Sequence, residues 1–174
     1  MRGPIFEEFF SNEFGPLVAF LMKNGFEREL AKDAASEAMT CAYKEWYRIE
    51  LPRAWVRTVA YRIALKQAQR ALEESRRAAA GGWTMCEHYD VDVVELAVEI
   101  AEEDELLLRL LERLPPRQRI VMVWHLDGFD AKEISGHLGM PEATVRSNLR
   151  HARRRLKVMY QVRLAGPPDD EGRK

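Results

Sequence analysis

The chain has 174 residues, 47% of them hydrophobic and 32% charged, and a formal net charge of −1. This is too apolar for an unstructured chain, and no apolar run approaches the ~18 residues that a membrane span needs. The near-neutral total hides a segregation, since residues 85–105 hold nine acidic and no basic residues whereas 106–163 hold twelve basic and five acidic ones. Adjacent acidic and basic blocks imply separate tasks along the chain. Met1 to Pro4 leads straight into acidic residues with no signal-peptide pattern, and two cysteines, Cys41 and Cys86, give no disulfide framework. The expected compartment is therefore the cytoplasm. Cys86 and His88 lack a second ligand pair at zinc spacing, so no metal is expected. With no phosphate loop and no nucleophile–base pair, neither a cofactor nor enzymatic activity is expected.

In chain order, residues 4–23 have helical periodicity, with Ile5, Phe9, Phe10, Phe14, Leu17, Val18 and Leu21 along one side. Asn24-Gly25 interrupts the pattern. A second helix is predicted from about Glu27 to Tyr47, burying Leu30, Ala34, Ala38, Cys41 and Ala42 and turning Asp33, Glu37 and Lys44 outward. Pro52 suits the first turn of a third helix that continues through Trp55, Val59, Ile63 and Ala64 to about Arg77. Along it Arg53, Arg57, Arg62, Lys66 and Arg70 alternate with Trp55 and Tyr61, just after Trp46 and Tyr47. Cations interleaved with aromatics can follow a phosphate backbone while rings stack on unpaired bases, although aromatics at helical spacing also serve as core.

The pattern fails at Ala78-Ala-Ala-Gly-Gly-Trp, which marks a boundary, and the acidic block follows. Beyond it, LLLRLLERL from Leu106 reads as an amphipathic helix stopped at Pro115-Pro116. Arg117 to His125 forms another, burying Ile120, Val121, Val123 and Trp124. Asp127-Gly128 then turns the chain. Asp130 with Glu133 is a capping box, Ile134 and Leu138 form a buried face, and Gly139 stands where a helix ends in a left-handed residue. After Pro141, Val145, Leu149, Ala152 and Leu156 define one buried face. The other carries Thr144, Arg146, Ser147, Asn148, Arg150, His151, Arg153 and Arg154. A capped helix, a glycine turn and a polar basic helix make the helix-turn-helix pattern, with small Ser135 where the helices cross. A plain helical hairpin with a solvated basic face fits the same residues.

The expected fold is therefore all-α: two small helical domains joined by an acidic linker. The expected bounds are an N-terminal three-to-four-helix bundle over 4–77, a flexible linker over 78–105, a four-helix domain with the helix-turn-helix over 106–163, and a disordered tail over 164–174.

Residues 111–157, LERLPPRQRIVMVWHLDGFDAKEISGHLGMPEATVRSNLRHARRRLK, resemble region 4 of the sigma-70 family. The first three helices resemble region 2, and the two together resemble the extracytoplasmic function (ECF) sigma factors. This resemblance implies a subunit that directs core RNA polymerase to promoter DNA and assists its melting. It implies that Thr144, Arg146, Ser147, Asn148, Arg150, His151, Arg153 and Arg154 lie at the upstream (−35) element, with Arg117 and Arg119 near its phosphates. It further implies that Trp46, Arg53, Arg57, Tyr61, Arg62 and Lys66 face the melted downstream (−10) element, that Asp33 and Glu37 grip core polymerase, and that an anti-sigma protein is a further partner. Asn148 stands where the family commonly has arginine, as does His151, so the family's base preference is not carried over. Two other functions fit the residues taken alone: a DNA-binding regulator that never meets polymerase, and a protein-interaction module.

Overall fold

The computed structural model describes residues 5–80 and 102–164, with side chains over 5–75 and 105–162. The chain divides into two compact units, 1–99 and 100–174. Among the described residues there are seven α-helices and one 3-10 turn. The helical character expected from the sequence holds in both units. The expected tail lies outside the described residues apart from Leu164, and so does the acidic block up to residue 101.

In the first unit, α1 (Phe6–Lys23), α2 (Arg28–Glu45) and α3 (Pro52–Ala80) pack against one another. α2 buries Ala31, Ala34, Ala35, Ala38, Met39 and Ala42. Side chains this short let both neighbouring helices approach closely, which is why an alanine-rich helix sits between two others. Leu30 and Cys41, expected in the core, are only half-buried, and Ile5 just before α1 and Phe10 on it are exposed, while Phe20 is buried instead. The buried stripe on a helix that meets two partners is wide, so its edges are hard to phase from spacing alone. The second helix also ends earlier than expected: Trp46–Arg48 form the 3-10 turn. α3 continues three residues past Arg77 to Ala80, through alanines, the best helix formers.

The second unit comprises α4 (Glu102–Glu112), α5 (Pro116–Leu126), α6 (Ala131–Leu138) and α7 (Glu142–Leu164). α4 begins four residues before the expected Leu106 and takes in the end of the acidic block, as acids in a first turn favour the positive end of the helix dipole. Its core joins Leu111 and Leu114 to Val121, Met122, Val123 and Trp124 of α5, Phe129, Ile134, and Val145, Leu149 and Ala152 of α7. Ile120 and Leu138 are half-buried rather than buried. Trp124 meets Phe129 edge-on at 4.9 Å and stacks on His137 at 5.1 Å between ring centres.

Candidate nucleic-acid interface

The α6–α7 element is fixed by its own residues. Asp130 Oδ1 accepts from the backbone N–H groups of Lys132 and Glu133, each at 2.8 Å, and Glu133 Oε2 accepts from Asp130 N at 2.8 Å. This reciprocal capping box satisfies donors that would otherwise be orphaned at the start of α6. Gly139 closes α6 at φ 62°, in the left-handed region that glycine enters most readily. Ser135 does more than leave room for a crossing: its hydroxyl donates to Met140 O at 2.6 Å, while Met140 N donates to Ser135 O at 3.2 Å. The turn is thus tied at both ends. Pro141 is the residue before α7, not its first, and its carbonyl accepts from Thr144 N and Val145 N.

Val145, Leu149 and Ala152 are buried as expected and Leu156 is half-buried, so the opposite side of α7 faces outward. Arg146, Arg150, His151, Arg153 and Arg154 are exposed, and Thr144, Ser147 and Asn148 are half-exposed. Several are already engaged. Arg146 pairs with Glu142 at 2.5 Å, and Asn148 Nδ2 donates to Thr144 O at 2.8 Å. Arg153 Nη2 donates to His125 Nε2 at 2.6 Å, linking α7 to the end of α5. Guanidinium has no acceptor, so the His125 proton sits on Nδ1, which faces Phe129 O at 3.3 Å. His151 and Arg154 line an open cleft of about 450 Å³ with Arg113, Arg155, Val158 and Met159.

Arg117 is exposed at the start of α5, where a phosphate contact is open to it. Arg119 is committed elsewhere. Its Nε donates to Leu111 O at 2.8 Å, which also accepts from Leu114 N at 3.0 Å, and its Nη2 donates to Glu112 O, so the guanidinium caps the end of α4. Arg119 therefore serves as a helix cap while remaining half-exposed.

In the first unit the expected basic surface divides. Arg57 is fully buried, pairing with Glu13 Oε2 of α1 at 2.8 Å, donating to Arg53 O at 3.2 Å and lying 5.9 Å from the centre of the Phe20 ring. It ties α1 to α3 and presents nothing to a ligand. Arg53, half-exposed, shares Glu13 at 3.6 Å. At 100° per residue Arg62 and Lys66 lie on the side of α3 opposite buried Ala64, together with half-buried Trp55. Trp46 packs against Phe6 and Phe9 at 5.2 and 5.0 Å, so it is a wall of the aromatic core. Tyr47, which the expected site omitted, is the fully exposed ring beside it. Tyr61 packs edge-on to Phe26 at 5.7 Å, and burial pushes its hydroxyl above the ordinary 10.0. Asp33 and Glu37 lie on the outward side of α2, and Glu37 Oε2 accepts from Gln67 of α3 at 3.2 Å.

Among the described residues no group of three His, Cys, Asp or Glu side chains is placed to hold a metal, and no helix is long and apolar enough to cross a membrane. Cys86 and His88 lie outside them.

The family model for sigma-70 region 4 matches residues 104–156, the span of α4 to most of α7. The ECF RNA polymerase sigma factor RpoE of Cereibacter sphaeroides is 27% identical over 154 residues, covering 87% of this chain and 84% of that protein. The ECF RNA polymerase sigma factor SigJ of Mycobacterium tuberculosis is 33% identical over 124 residues, 68% of this chain but only 39% of that longer protein. Among solved structures, the sigma factor RpoE of Bartonella quintana, in complex with the anti-sigma factor NepR, has a TM-score of 0.67 at 17% identity, covering 90% of this chain and 97% of that one. CnrH, in complex with the cytosolic domain of CnrY, gives 0.60 at 18%, covering 90% and 88%. At such identities the two structures speak for the fold alone. The capped helix-turn-helix lies within the residues that match region 4. Residues 104–156 thus match sigma-70 region 4, and the chain as a whole is similar to ECF RNA polymerase sigma factors.

Proposed function

We propose that the two helical units divide promoter recognition between them, the first over residues 4–77 and the second over 106–163. The second reads the upstream element as duplex through α7, with Arg117 on flanking phosphates. The first docks on core polymerase through the outward side of α2, at Asp33 and Glu37. It holds the separated downstream strand along α3, where Arg62 and Lys66 supply charge and Trp55 and Tyr47 supply rings. The observation that carries the reading is the tied α6–α7 turn, which sets a basic helix rigidly for a major groove. The protein binds and positions without catalysing, and its place is the cytoplasm, where polymerase and promoter are. The structural relatives bound to NepR and CnrY support a protein antagonist as a third partner.

The test reverses charge on α2. Asp33→Lys with Glu37→Lys should weaken co-purification with core polymerase at least about tenfold, as like charges replace a complementary pair of patches, and leave duplex affinity unchanged. Wild-type polymerase binding by the double variant would remove the docking assignment.

A further inference from the structure

The arrangement of α7 says which side chains reach base edges, a question the basic face alone leaves open. Successive residues turn by 100°, so the positions diametrically opposite the buried Val145, Leu149 and Ala152 are Ala143, Ser147 and Arg150, followed by Arg154. Parts of the flanks are engaged within the helix, while His151 on one of them is exposed. On one side Arg146 is paired with Glu142. On the other, the amide nitrogen of Asn148 is turned onto Thr144 O; because a carbonyl only accepts, that orientation is chemically fixed. Asn148 is therefore anchored at the edge of the buried face, turned away from the outward row, with one of its two N–H donors used. Ala143 and Arg150 are exposed, and no ion pair with another described residue holds Arg150.

We infer that Ala143, Ser147 and Arg150 form the base-reading row, and that Arg150 and Ala143 set the preference. The first turns of a recognition helix approach base edges most closely, which places Arg154 toward the backbone. From Ala143 to Arg150 the helix rises about 10.5 Å, roughly three base-pair steps of 3.4 Å. A guanidinium free of local partners takes guanine N7 and O6 together, a methyl group packs on the thymine methyl, and a hydroxyl accepts either kind of edge. The preferred duplex thus presents a G·C pair and an A·T pair about three steps apart, with tolerant positions between them. Ala143 was not among the residues singled out in the sequence, because an alanine in a basic helix carries no charge to flag it.

The inference rests on the promoter-reading assignment of α7, and one experiment separates the two. Core polymerase carrying the full chain is used to select from promoter DNA randomised in the upstream element, with wild type, Arg150→Ala, Arg150→Lys and Asn148→Ala compared. The expected result is a G·C and an A·T pair at that spacing with wild type. Arg150→Ala should lose the guanine preference, on the order of tenfold, and keep the A·T preference. Arg150→Lys, which keeps the charge without the fork, should lose much of the same discrimination. Unchanged selection by Arg150→Ala, or a changed base choice with Asn148→Ala, overturns the row while leaving promoter reading intact. No upstream selection by wild type overturns both.

Discussion

Arg57 separates a nucleic-acid ligand from a structural brace. Its side chain has no exposed surface, its ion pair with Glu13 spans α1 and α3, and Glu13 itself is only 21% exposed. Removing one member of a buried charge pair costs about 3–5 kcal/mol, because the remaining charge stays out of water. Arg53 also reaches Glu13, at 3.6 Å, so the lower end applies. For a domain of 60–100 residues about 3 kcal/mol lowers Tm by roughly 12–24 °C. Arg57→Ala should therefore show that loss by circular dichroism or calorimetry, with the transition of the first unit moving and that of the second unchanged. Arg62→Ala, at an exposed position on the same helix, should leave Tm within about 2 °C and weaken binding of single-stranded downstream DNA. The reasoning fails if Arg57→Ala keeps the wild-type transition and loses DNA affinity, for the side chain would then have to reach the surface.

Two further predictions concern local structure. An added Cβ at Gly139 would meet nothing within 4 Å, so Gly139→Ala isolates the cost of a left-handed alanine: about 1–2 kcal/mol in the second unit, with Gly139→Asn losing less, read by denaturant unfolding. Tyr61 has a hydroxyl raised by burial above its unfolded 10.0, so the unfolded chain releases its proton first as pH rises. The associated stability is fully present below about pH 10 and falls above it. Tyr61→Phe should flatten that part of the stability profile, measured by denaturant midpoint against pH.

What could be read in advance was local in sequence. The capping box joins Asp130 and Glu133, the left-handed stop is a single glycine, and the buried face of α7 repeats within three turns, so a window of a dozen residues holds all the physics. The partners of two arginines were hidden for the opposite reason. Arg57 is satisfied by an acid 44 residues away, and Arg119 by carbonyls seven and eight residues back across a proline turn. Nothing in the charge pattern distinguishes such an arginine from a solvated one. Trp46 and Tyr47, adjacent in sequence, differ because the 3-10 turn points one ring at Phe6 and Phe9 and the other at water. Within the recognition helix, charge drew attention to the flanks, whereas burial identified the outward row.

α7 is a single unbroken helix of 23 residues, about 35 Å long. Its first turns carry the base-reading row, and its far end leaves Val158, Tyr160 and Val162 exposed. Val162 lies about 17 Å beyond the packing of Leu149 and Ala152 and Ser147 about 5 Å before it, so pushing Val162 through about 1.5 Å tilts the rod by roughly 5° and shifts Ser147 by about 0.5 Å, enough to strain a hydrogen bond. The helix is in this sense a lever whose fulcrum is the packing of Leu149 and Ala152. A protein that leaned on its distal end would change which DNA it could read without touching a single base.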